Sequence, residues 1–450
     1  MVILYDEKPV YFTGVDGLFF HAQIKLNTGS EMMWFRKWYF GWNIVAAATI
    51  ITLLTVGMRM GMGPFVLPIM QDLNFDRTEL STMIAVGMIV YGMGMPLAGY
   101  LVERYSTNFV LRLGILIVTV SCIWTVLATH PFNFFMAFGV FLSLGLAFTS
   151  PVALTPVIAK WFTRQRGRAL FYLSTGSMAG IAIMTPVLTI AINQFGWQAT
   201  ILLFAAAFLL IIIPMTIFIV RDEAPENTDE LESEKQNVTS RKPELRLTWK
   251  EAMTTSPFWL ITFGLFACGF SMNLLGTHGV PMLQDHGFDA MTASFAIGLI
   301  GLVAIPSTLI LGALSDKMPR KYLLALIYLV RGLGLIALVM VASLWQLYVV
   351  VIVAGFVWAG SIALSSAMLS DVYGVKLVGL LYGWAYFGHQ VGAMFSSWLG
   401  GWGYDQYGTH FISFAAAGVI LFLASVASLN VRTHLENKKR LPKQSIEVSN

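Results

Sequence analysis

Long apolar runs alternate with short polar breaks along almost the whole chain. Twelve runs stand out, near residues 42–70, 79–102, 108–129, 132–159, 168–193, 197–220, 257–283, 290–314, 322–342, 345–369, 377–403 and 410–430. Each holds about 20 residues or more, enough at about 1.5 Å per residue to cross a hydrocarbon layer roughly 30 Å thick. The pattern predicts an all-α membrane protein with twelve transmembrane helices. It is broken once, from Asp222 to Glu251, where Glu226, Asp229, Glu230, Glu232, Glu234, Lys235, Arg241 and Lys242 crowd together. So polar a stretch reads as a flexible linker dividing six helices from six. The predicted organisation is an extension at 1–40, a six-helix bundle at 41–221, a linker at 222–256, a second bundle at 257–431 and a tail at 432–450.

The halves are related in sequence. Pro68-Ile-Met-Gln71-Asp72-Leu-Asn-Phe75-Asp76 reappears, 213 residues on, as Pro281-Met-Leu-Gln284-Asp285-His-Gly-Phe288-Asp289. The same offset carries Gly99, Leu101, Glu103 and Arg104 onto Gly312, Leu314, Asp316 and Lys317, and Gln194-Phe195-Gly196 matches Gln406-Tyr407-Gly408 at 212. Parallel six-helix repeats are a known plan of secondary transporters that bind substrate near the membrane midplane, between the halves.

Composition supports the membrane reading. The 450 residues are 57% hydrophobic and 12% charged, with a mean hydropathy of +0.71, against about 25% charged residues in soluble domains. Of 28 Lys and Arg, 25 fall in the N-terminal segment, the even-numbered interhelix loops or the tail. By the positive-inside rule both termini and the linker are cytoplasmic in a multi-pass cell-membrane protein, which is the inner membrane in a Gram-negative cell. The opposite loops carry Asp72, Asp76, Asp285, Asp289, Asp405 and one basic residue, Arg77. The basic pI is thus an orientation signal, with no nucleic-acid partner implied. Residues 1–40 lack the apolar core of a secretory signal, and Met32 and Met33 stand as alternative starts. Cys122 and Cys268 fall inside predicted helices as small buried side chains, and Trp34, Trp38, Trp42, Trp345 and Trp402 read as interfacial anchors.

Several motifs resemble the major facilitator superfamily over about residues 40–432. Its loop after the second helix carries Gly, three residues, Asp, a basic residue, Gly and a basic pair. Gly99, Glu103, Arg104, Ser106 and Asn108 give an imperfect first copy, and Gly312, Asp316, Lys317, Arg320 and Lys321 a better second. The resemblance implies the two-bundle fold and a cytoplasmic gating latch at Gly99, Glu103, Arg104, Gly312, Asp316 and Lys317. Within the superfamily the chain is similar to monocarboxylate-transporter-like bacterial proteins. Gly41-Trp42, Trp161-Phe162-Thr-Arg164-Gln-Arg166-Gly167-Arg168-Ala169, Tyr382-Gly383 with Tyr386 and His389, and the run from Gly57 to Phe65 carry that similarity. One element departs. The Asp and Arg, four residues apart, of the eighth helix in animal monocarboxylate transporters would fall near Gly301 and Ile305, so the substrate does not carry over directly.

The candidate chemistry follows from charge. The interiors of the apolar runs hold two arginines, Arg59 and Arg331, and no acid to neutralise them. A charge at mid-membrane costs at least about 2.5–3.5 kcal/mol, so a missing anion points to an anionic substrate. Arg59 lies about 25 Å along a first helix broken by Gly57, Gly61, Gly63, Pro64 and Pro68, and its repeat equivalent is Met272. Its guanidinium suits a carboxylate, the alternative being an arginine satisfied by backbone carbonyls or lining a wet cavity. His389, about 18 Å into the eleventh helix, is a candidate substrate or proton contact or a packing histidine. Tyr382, Tyr386 and Gln390 are candidate lining residues, as are Asn273 and His278 on the seventh helix. Arg331, on a peripheral ninth helix, reads as structural.

No nucleotide-binding loop, metal cluster or nucleophile with its base is present in the sequence, so neither enzyme activity nor a cofactor is expected. The resulting expectation is a monomeric secondary transporter in the lipid bilayer for a small organic anion, a monocarboxylate, coupled to protons carried by His389 or the substrate. Efflux of a drug or hydrophobic metabolite is the alternative; the absence of a membrane acid disfavours cationic cargo.

Overall fold

Proline, glycine and capping residues cut the apolar runs into helices. The structure, a computed structural model, describes residues 3–5, 8–10, 39–162, 165–224 and 248–431, with the side chains of residues 3–5 and 8–10 and of Arg166, Asp316, Val375 and Lys376 outside that description. Arg164, Trp34, Trp38, most of the linker and the 432–450 tail therefore lie outside the described residues. Within Met1–Tyr39, a separate unit, β1 (Ile3–Tyr5) pairs antiparallel with β2 (Lys8–Val10), Ile3 opposite Val10.

From Phe40 onward the described chain is helical. In order it forms α1 (Gly41–Met60), α2 (Gly63–Leu73), α3 (Arg77–Arg104), α4 (Thr107–Leu127), α5 (Pro131–Phe134), a π-helical stretch (Phe135–Phe141), α6 (Leu142–Phe148), α7 (Pro151–Trp161) and α8 (Arg166–Phe218). After the linker come α9 (Trp249–Met253), α10 (Ser256–Asp285), α11 (Ala290–Lys317), α12 (Arg320–Val339), α13 (Leu344–Phe356), α14 (Gly360–Tyr373), α15 (Val375–Tyr407) and α16 (Phe411–Leu429). Ten helical stretches are long and apolar enough to cross a membrane. The longest, α8, is broken at Gly196, whose φ of 81° is accessible to glycine without strain. The polar-studded α15 adds a further 33-residue helix.

Local chemistry explains several breaks. Pro64 lies in the first turn of α2, which starts two residues after the Gly61 cap of α1, where a missing N–H is tolerated. Asp76 and Glu79 form a capping box that starts α3. A second box, Thr248 with Glu251, starts α9, so the end of the predicted linker is ordered as a short helix. Arg77, expected in a loop, is the first residue of α3 and only 5% exposed. Gly180 on α8 lies so close to α1 that an added Cβ would sit 2.6 Å from the Leu53 carbonyl oxygen. Such small-residue contacts hold membrane helices together where the solvent is as apolar as the side chains.

Arg331 is 1% exposed and makes its contacts at the break between α13 and α14. It donates to the carbonyl of Val357 (2.6 Å), the carbonyl of Trp358, the Ser361 hydroxyl (3.1 Å) and the Cys268 sulfur (3.2 Å). Carbonyls at a helix end point partial negative charge at it, and the guanidinium satisfies them. Its sequence-based structural role thus acquires a physical form.

The arrangement that positions the polar residues centres on α15. It packs along α10 on one side and α3 on the other, while α8 packs on α1 and α11. Side chains on α15 therefore reach both halves of the chain.

Candidate functional site

Arg59, in the last turn of α1, is 5% exposed. Its Nη2 donates to the Gln390 Oε1 of α15 at 2.9 Å and to the Met88 sulfur at 3.5 Å, and the guanidinium lies over the Tyr91 ring at 4.4 Å. Its Nε is buried without a partner, and among the described residues no carboxylate pairs with it. Of its two predicted alternatives, capture by backbone carbonyls is not among these contacts, and Arg331 takes that arrangement instead; the other, a place on a cavity wall, is where Arg59 lies.

Gln390 reaches Arg59 because Gly92 has no side chain. A Cβ there would lie 2.8 Å from both Cβ and Cγ of Gln390. One turn back on α15, Tyr386 stacks on His389, with ring centroids 4.8 Å apart and planes 7° from parallel, and Nδ1 of His389 lies 3.5 Å from the Gln390 amide nitrogen. Tyr382 follows at 5.7 Å from Tyr386. Arg59, Gln390, Tyr386, His389 and Tyr382 thus form one connected group. The Nε2 of His389 is buried and unpartnered.

Beside this group is a narrow cleft of about 20 Å³, lined by Arg59, Met88, Tyr91, Phe138 and Ser143 among others. Its walls are largely apolar with one cation, the composition expected of a small-solute site. Tyr91, Met88 and Ser143 escaped the sequence reading. The only signal was their place on apolar helices near the depth of Arg59, which many residues share.

Asn273 and His278 are placed elsewhere. Asn273 donates to the Ala393 carbonyl at 3.1 Å and to the Ser397 hydroxyl, and His278 Nε2 lies 2.9 Å from the Ser397 carbonyl. Both fasten α10 to α15; of the seven candidate substrate contacts, only Arg59 is among the residues lining the cavity, and Gln390, His389, Tyr386 and Tyr382 join it from outside the lining.

The repeated loop motif is exposed. Arg104 donates to Tyr100 of its own helix at 3.0 Å, and Glu103 and Lys317 are exposed; the Asp316 side chain lies outside the described residues. Among the described residues an ion pair at this end is Arg320 with Asp371 (2.5 Å), joining α12 to α14. Cβ atoms added at Gly99 or Gly312 would meet only open space.

At the opposite end, Arg77 forms a two-pronged pair with Asp285 of α10 (2.7 and 3.1 Å) and lies over the Tyr404 ring at 3.5 Å. His410 Nε2 is 2.8 Å from Asp285 and 3.0 Å from Arg77. Asp405 accepts from the Thr78 N–H (2.7 Å) and hydroxyl (2.6 Å). These contacts join residues 41–221 to residues 257–431.

Comparison with known proteins agrees with this architecture. The family model described as Major Facilitator Superfamily matches residues 48–344 and 281–448. The chain is 25% identical over 382 residues to an uncharacterized MFS-type transporter, YcxA, of Bacillus subtilis, covering 83% of this chain and 90% of that protein. It is 21% identical over 411 residues to monocarboxylate transporter 12 of Rattus norvegicus, covering 86% and 84%. Among solved structures, a bacterial homologue of the human lysosomal transporter Spinster, in an inward-facing and occupied conformation, superposes with a TM-score of 0.70 at 15% identity, covering 89% of this chain and 98% of that one. The chain belongs to the major facilitator superfamily and is a multi-pass membrane transporter, not an enzyme.

Proposed function

We propose that this protein is a secondary transporter of a small organic anion, a monocarboxylate, working by alternating access of residues 41–221 against residues 257–431, with both termini in the cytoplasm. The single observation that carries the substrate class is Arg59, a buried cation on a cavity wall whose acceptors are a neutral amide and a sulfur. A carboxylate is a stronger acceptor than either and matches the fork of guanidinium donors. A relative that bears the name monocarboxylate transporter supports the same class.

Gln390 gives the site a second function. Its amide oxygen holds Arg59 from the other half of the chain, so an incoming carboxylate replaces an interhalf hydrogen bond with a substrate contact. Binding energy that differs between the two arrangements is what a transporter needs in order to shift between them. A proton taken up with the anion makes the transported pair electroneutral. His389 fits as its carrier only alongside bound anion, because Arg59 is already an uncompensated positive charge nearby.

Proteoliposomes containing the full chain test the proposal. Uptake of a short-chain monocarboxylate, driven by an inwardly directed proton gradient, is expected for the parent and expected to collapse in Arg59→Ala. An Arg59→Ala protein that transports as well as the parent, or a parent inactive towards every carboxylate, overturns it.

A further inference from the structure

Arg77, His410 and Asp285 meet at the end of the molecule away from the linker, and their hydrogen atoms cannot satisfy all three contacts at once. Nη1 of Arg77, Nε2 of His410 and Oδ2 of Asp285 lie mutually within 2.7–3.0 Å. If Nε2 carries no proton, it faces the carboxylate lone pair against lone pair at 2.8 Å. If it carries one, it donates to Asp285 and Arg77 keeps its two-pronged pair, with a donor-to-donor contact at 3.0 Å. The second arrangement preserves the charge-assisted bonds, which are the stronger ones. It leaves Nδ1 of His410 as a bare acceptor, and Nδ1 is buried with no partner.

We propose that Arg77, Asp285 and His410 form a protonation-controlled latch, in which a proton taken up at His410 Nδ1 releases Arg77 and lets residues 41–221 part from residues 257–431 at this end. The proton comes from water, adds to the Nδ1 lone pair and breaks no covalent bond. Before uptake one carboxylate faces one guanidinium; afterwards one carboxylate faces two cations, and Arg77 is the one on the other half of the chain. The titratable and charged groups around His410 are Arg77 on α3, Asp285 and His278 on α10, His286 just after that helix, and Tyr404 and Asp405 on α15. Asp285 alone among them is an acid in direct contact with the ring.

Burial pushes the His410 imidazole below its ordinary value of 6.5, partly offset by the Asp285 hydrogen bond. The latch is therefore closed at neutral pH and opens on acidification. It rests on the alternating-access part of the proposed function but not on the identity of the substrate. Thr78 with Asp405, and the tight approach of Gly401 to Arg77 and Ser81, also join the two halves at this end.

The test needs no substrate. Nitroxide labels at Gln71→Cys and Gln406→Cys, both exposed at this end, report the separation in the full chain in lipid nanodiscs; Cys122 and Cys268 are buried. Between pH 8 and pH 5 the parent is expected to gain a longer-distance population, and His410→Gln, which can still donate to Asp285, is expected to keep the pH 8 distribution throughout. Asp285→Asn is expected to show the long population at both pH values. A parent with no change on acidification overturns the latch without recourse to any variant, as does a His410→Gln protein that opens like the parent. Loss of anion uptake in Arg59→Ala proteoliposomes reports on the substrate reading separately.

Discussion

Arg59 and Gln390 are 331 positions apart in sequence and 2.9 Å apart in space. The bond joins a cation of α1 to a neutral amide of α15, so among the described residues the oxygen acceptor of this buried guanidinium is uncharged, and a carboxylate would be a stronger one.

Gln390→Glu should therefore act as an internal inhibitor. A carboxylate at this position pairs with Arg59 permanently, and a charged hydrogen bond is worth about 1.5–3 kcal/mol net. The expected result is a rise of about 10- to 100-fold in the anion concentration for half-maximal uptake. Unchanged concentration dependence in proteoliposomes would count against Arg59 as the anion site.

Tyr91 should contribute through its ring and not its hydroxyl. Tyr91→Phe keeps the face on which Arg59 rests at 4.4 Å, whereas Tyr91→Ala removes a contact worth about 0.5–2 kcal/mol. Uptake near parental level in the first and weakened several-fold in the second is expected; equal loss in both points to the hydroxyl.

Arg331→Ala should damage stability and leave substrate affinity alone. It orphans the carbonyls of Val357 and Trp358 inside the membrane, at about 1–3 kcal/mol per buried group left unsatisfied. A thermal-unfolding midpoint lower by several degrees is expected, with unchanged concentration dependence of uptake in the folded fraction. A shifted affinity at parental stability would place Arg331 at the site.

Stability should also depend on pH through His410. Its folded pKa is lowered from 6.5, chiefly by burial, so between the unfolded and folded values the unfolded chain binds more protons. The contribution is complete above about 6.5 and is lost as pH falls from there through the folded value. Melting curves in detergent at pH 7.5 and pH 5 should show a larger drop for the parent than for His410→Gln. Equal drops would remove His410 as the cause.

Gly180→Val should disrupt the crossing of α1 and α8, because the first added carbon already meets the Leu53 carbonyl oxygen at 2.6 Å. Overpacking of this kind costs about 1–3 kcal/mol. Lower folded yield on size-exclusion chromatography is the expected outcome, and a parental yield contradicts the crossing.

Sequence alone determined the elements, because a hydrocarbon solvent demands long apolar helices with internally satisfied backbones and that demand is written in local composition. The same reasoning marked Arg59 as a cation in need of an anion and Arg331 as structural. Five of the seven candidate substrate contacts, Arg59, His389, Gln390, Tyr386 and Tyr382, come together in one group; Asn273 and His278 do not, since depth along a helix does not reveal which neighbour a side chain faces. Only the tertiary structure decided that Gln390 fits over Gly92 to reach Arg59, that Tyr91 carries the guanidinium, and that Arg77, assigned to a loop, is buried against Asp285 and His410. Each of these depends on the rotation and approach of helices far apart in sequence, which packing fixes and local periodicity does not encode.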